Sequence, residues 1–141
     1  MLVDAVRTRL LASDVGRIED ALSLQRLIDQ KALPPAPVTA FVVPMGLRGG
    51  EVRSAGVPFI QDTTETVAVF LAVKEANPVG QRAKDALSAK IDAVIAAIAG
   101  WQPEGQPDVF RLIRAFLVSF AQGVALYQIE FSTTSQVRVL S

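Results

Sequence analysis

The sequence predicts an α+β two-layer sandwich: a mostly antiparallel four-stranded sheet with helices on one face, in the order α-α-β-β-α-β-β. Three observations lead there. Apolar residues recur at three-and-four spacing near the N-terminus and again between Ala83 and Ile98, which is the period of an amphipathic helix. Four runs rich in Val, Thr, Ile and Phe have the character of strands, and they fall in two consecutive pairs, as hairpins do. Short apolar faces of both kinds need one another, so helices should cover one side of the sheet.

Taken in order, Leu2–Leu11 places Leu2, Val3, Val6 and Leu10 on one side, with Asp4, Arg7 and Arg9 on the other. Ser13, Asp14 and Gly16 end this helix. Val15–Glu19 reads as a short edge strand or a turn, and Asp20 and Ser23 are both candidate N-caps for a second helix through Leu24, Leu27 and Ile28. Leu33-Pro34-Pro35-Ala36-Pro37 forces an extended linker into the strand Val38–Val43, which Pro44 should stop.

The stretch from Pro44 to Val57 is glycine-rich and charged. It is long for a loop between two strands, which marks it as functional or disordered. The strand pattern Phe59–Val73 is polar on both faces over Gln61–Thr66 and apolar on both over Val67–Val73. It should therefore begin in solvent or against a partner and end in the core, making an arm that projects from the body. Asn77-Pro78 is a helix-entry signal for the long helix that closes at Gly100. After a polar loop over Trp101–Asp108 come the strands Val109–Phe120 and Val124–Ser132, joined near Ala121-Gln122-Gly123. Thr133–Ser141 is a tail that pairs as an edge or packs on a neighbour.

Composition narrows the function. The chain has 141 residues, expected to form a single domain over 1–141, half of them hydrophobic and one fifth charged, which excludes intrinsic disorder. Lys+Arg and Asp+Glu both number 14, so no basic excess exists to hold phosphate backbones. A neutral, apolar-rich chain suggests a surface that expects a partner. With no cysteine and no histidine, disulfides, thiol nucleophiles, imidazole bases and most transition-metal sites are excluded. Neither a signal peptide nor a membrane-spanning segment is legible, which reads as cytosolic where the protein is made.

No residue stands out for catalysis, cofactor or metal binding. Gly46-Leu47-Arg48-Gly49-Gly50 lacks the Gly-Lys-Ser/Thr of a phosphate cradle and leads to a strand, not to a helix. Asp62 and Glu65 are three apart on a strand and face opposite ways, so they form no acid–base pair. Arg48, Glu51 and Arg53 offer both signs on the long loop, suited to protein contact, with a solvated loop as the plain reading. Arg111 and Arg114 flank Leu112-Ile113 and should point to opposite faces. They serve either as edge charges against aggregation or as intersubunit ion pairs. The residues expected at interfaces are Arg48, Glu51, Arg53, Gln61, Asp62, Glu65, Arg111 and Arg114, and the protein is expected not to be an enzyme. A small dimeric cytosolic ligand-binding or regulatory domain would fit the same composition.

Several phrases, spread over nearly the whole chain, resemble the tail terminator proteins of long-tailed bacteriophages and phage-like particles. They are Met1-Leu2-Val3-Asp4-Ala5-Val6, Gly16-Arg17-Ile18-Glu19, Phe41-Val42-Val43-Pro44-x-Gly46, Glu65-Thr66-Val67, Val109-Phe110-Arg111-Leu112-x-Arg114 and Tyr127-Gln128-x-Glu130-Phe131. The resemblance implies an α+β structural virion protein that needs no cofactor. It implies a homohexameric ring, built in the bacterial host cytoplasm, on the head-proximal end of the tail tube. That ring would stop tube polymerisation and join the head. The partners implied are the protein itself, the tail tube protein and a head completion or connector protein. DNA would pass through the lumen without sequence-specific binding, and no membrane would be involved. Another head–tail connector or tail completion protein would share these features.

Overall fold

The computed structural model describes residues 2–74 and 81–140, with side chains from 85 onward in the second segment. The elements are α1 (Val3–Leu11), β1 (Arg17–Asp20), α2 (Ala21–Gln30), β2 (Val38–Ser54), β3 (Phe59–Lys74), α3 (Gln81–Ile98), β4 (Arg111–Ala121) and β5 (Val124–Val139). The Asn77-Pro78 entry signal lies outside the described residues.

The fold class is α+β, but among the described residues the sheet has five strands, in the order β1-β2-β3-β5-β4, rather than four. Arg17–Asp20 pairs in parallel with Thr39–Val42, while every other pairing is antiparallel. A parallel pair needs a long crossover, and α2 with the proline linker supplies it. Asp20 caps α2, its carboxylate accepting the Ser23 N–H at 2.9 Å.

The helices do not share one face. Val6 and Leu10 of α1 and Val94, Ala97 and Ile98 of α3 pack on Val42, Val67, Val69, Leu71, Ile129 and Phe131, which forms the main core. By the pairing register, Phe41, Ala72 and Leu126 point to the other side, and α2 lies there. The crossover carries α2 over the sheet edge, which the reading of Pro34–Pro37 as a plain linker missed. Trp101 packs against the core edge, its ring stacked on buried Phe110 at 5.8 Å with the Arg9 guanidinium 5.1 Å above it.

The long loop expected over Pro44–Val57 is strand. β2 continues through Pro44 to Ser54, leaving only a short turn before Phe59. A proline is tolerated there because β1 stops opposite Val42, so the outer edge of β2 needs no donor beyond it. Irregularities follow between Pro44 and Gly46, Gly49 and Val52, and Val52 and Ser54. β5 also overruns its expected end, and Thr133–Val139 pairs with the polar half of β3. The arm is therefore three-stranded. The eight residues from Phe59 to Thr66, at ~3.4 Å each, carry it roughly 25 Å beyond the core.

Candidate interaction surface: the arm, the β4 edge and the α2 groove

Cross-strand partners share a face, so the register sorts the arm into two surfaces. One holds Arg48, Asp62, Thr64, Thr134, Gln136 and Arg138. On it the Arg53 guanidinium donates to Asp62 Oδ2 through Nε at 2.8 Å, with Nη2 2.7 Å away, and the Gln136 amide donates to Oδ1 at 3.1 Å. The Arg53 hydrogen bond, then that of Gln136, holds the Asp62 carboxyl below its ordinary range. Glu51 is held only loosely, 3.5 Å from Arg53, with its side chain 69% exposed. Arg48 is exposed opposite Thr64.

The other face of the arm mixes apolar and polar residues. Toward the tip Leu47, Val52, Phe59, Val137 and Val139 line it, and Leu47, Val52, Val137 and Val139 are exposed, while Thr63, Thr133 and Ser135 make the part nearer the base polar. Gln61 lies among them and turns its amide back to the Gly50 carbonyl at 3.1 Å. Glu65 marks the base of this face and is engaged internally, accepting the Leu2 N–H.

β4 is the sheet edge opposite β1. One irregularity, between Leu112 and Arg114, sets Arg111 opposite Ser132 and Arg114 opposite Glu130. Those partners are two residues apart, so both arginines point to the same face, not to opposite faces. Each is paired within the chain. Arg111 donates to Asp108 at 2.7 Å and 3.1 Å, and Arg114 pairs with Glu130, a residue only 6% exposed. Asp108 also accepts from Thr134 Oγ1 at 2.6 Å and from the Val109 N–H at 2.8 Å. These bonds, Arg111 first, hold its carboxyl well below the ordinary range. Leu112, Ile113, Leu117, Val118 and Phe120 are 42–51% exposed along a strand that, among the described residues, has a partner on one side only.

Beside the C-terminal end of β4, α2 overhangs the sheet without burying any of its own residues. Leu24, Leu27 and Ile28 face Phe41, Ala121 and Leu126 across an open groove of about 170 Å³. The eight residues singled out from the sequence thus divide. Arg48, Glu51, Arg53, Gln61 and Asp62 share the arm, Glu65 serves α1, and Arg111 and Arg114 lie on β4. The apolar edge and the groove were missed, although the apolar run Ala115–Val118 of β4 and the three-and-four spacing in α2 both signal them.

Among the described residues, no group of three or more acidic side chains is placed to hold a metal ion, and no helix is long and apolar enough to cross a membrane. A long apolar sheet edge, a projecting arm and an open groove on a chain this small are the features of an assembly subunit, whose surface neighbouring chains complete. The chain belongs to the phage tail terminator protein family, whose model matches residues 2–139. No individual curated protein matches it. It is a structural component of a phage tail, working against other tail components.

Proposed function

We propose that six copies of this chain close into a ring on the head-proximal end of the tail tube, where the ring ends tube growth and presents a docking surface to the head completion or connector protein. The role is mechanical and needs no catalytic group. DNA passes through the lumen without sequence-specific contacts. Assembly takes place in the host cytoplasm.

The observation that carries this reading is the pair of unlike surfaces at opposite parts of one sheet: the apolar β4 edge and the arm. A ring is a heterologous contact that closes by rotation, so it requires two different patches per subunit. Ending growth then requires that one side of the ring fit the tube while the other reject a further tube layer. Native mass spectrometry over a wide concentration range, followed by electron microscopy with tube protein, tests this. Hexamers that decorate one tube end and shorten the tubes support the reading. A stable dimer at every concentration, indifferent to tube protein, overturns it.

A further inference from the structure

The groove under α2 has the chemistry of a site that one copy alone leaves empty. An amphipathic helix normally buries its apolar stripe, yet α2 has no buried residue. The groove adjoins β4 through Ser119 and Ala121, so groove and edge form one surface. The eleven residues of β4 and the groove walls together approach the roughly 20 residues a side of a stable interface. The rim carries Lys31, exposed and in no ion pair among the described residues.

At the other end of the molecule, the arm tip presents Val57, 79% exposed, beside Pro58. The tip cannot reach its own groove. Ala72, in the groove, and Phe59, at the tip, are thirteen residues apart along one strand, roughly 40 Å. The acid nearest the tip on β2 is Glu51, whose cation Arg53 is taken mainly by Asp62.

We propose that the arm tip of one copy seats in the α2 groove of the next, with Val57 and Pro58 between α2 and the β4–β5 turn, and Glu51 meeting Lys31 at the rim. The occupant is thus a second copy, matched in apolar character and in charge. The contact joins unlike ends of the chain and propagates around a ring. It rests on the ring reading and names the partner surface within it.

The chain has no cysteine, so an introduced pair reports one contact only. Val57→Cys and Ile28→Cys are both at exposed positions, Ile28 on the groove wall. The double variant, oxidised, should give a disulfide ladder from dimer up to the full ring, and neither single variant should give more than a dimer. Lys31→Glu should raise the concentration at half-assembly at least tenfold, and adding Glu51→Lys should restore it. Wild-type hexamers by native mass spectrometry with no ladder and no charge rescue overturn the arm-in-groove contact and leave the ring standing. A ladder that stops at dimers overturns the head-to-tail arrangement. Wild-type protein that never exceeds a dimer, with or without tube protein, overturns the ring itself.

Discussion

The backbone N–H of Leu2 donates to the Glu65 carboxylate at 2.6 Å, so a side chain from the arm base caps the first turn of α1. In a capping box, a glutamate within the helix satisfies the N-cap N–H; here a residue 63 positions away does so. Leu2 supplies no side-chain cap of its own. Glu65 thereby ties α1 to the start of the arm, and its charge also favours the positive end of the helix.

Glu65→Ala should lower stability by about 1 kcal/mol, and Glu65→Gln by less, since the amide oxygen still accepts. Urea denaturation of both variants checks the order. Equal losses would mean that the acceptor is irrelevant and that only the charge matters.

Arg114→Met should cost about 2–3 kcal/mol, because it leaves the buried Glu130 carboxylate without its cation. Arg111→Met should cost clearly less than Arg114→Met, since its partner Asp108 is near solvent and keeps Thr134 and Val109. Chemical denaturation in the same buffer reads the contrast.

Gly16 holds φ at +146°, and a Cβ there would stand 2.7 Å from the Val38 carbonyl oxygen. Gly16→Ala should therefore destabilise by about 2 kcal/mol or more, combining strain with displacement of β2 from β1. Gly56→Ala, where a Cβ meets nothing within 4 Å, should stay within ~0.5 kcal/mol of the wild type.

Acid should loosen the join between β4 and β5. The folded Asp108 carboxyl sits below its ordinary value of 3.8, so its ionised form stabilises the fold above that value. This contribution is lost as pH falls through the acid range toward the folded value, and Asp20 and Asp62 act with the same sign. Tm should hold between about pH 7 and pH 5 and drop below about pH 4. Asp108→Asn should start lower and drop less; parallel curves would remove Asp108 from the account.

Much of this architecture is legible in the sequence because periodicity is a local signal. The stripes of α1 and α3, the change from polar to apolar along β3 and the turn at Gln122-Gly123 all come from neighbouring residues. Both turn residues adopt positive φ, 54° and 75°, as a tight hairpin between Ala121 and Val124 requires. The parallel pairing of Ile18 with Ala40 depends on a crossover, which no local pattern encodes. Pro44 misled because its usual meaning is a stop, and only the absence of an outer neighbour makes it tolerable. The shared face of Arg111 and Arg114 hangs on a single extra residue near Ile113, which alternation alone does not reveal. Glu65 and Arg114 were legible as unusual charges, but their partners, Leu2 and Glu130, are contacts made only on folding.

β3 and β5 each run sixteen residues, through the core and out along the arm, without a break in their mutual register. The arm is therefore a spar whose reach is counted in residues. Adding two residues to each of its strands would advance the tip by about 7 Å and keep both faces as they are, whereas adding one would exchange the two faces. Unless a bulge absorbs the odd residue, as in β2 and β4, the span of the assembly changes in even steps, and the gauge of whatever this subunit fits is written in the length of two strands.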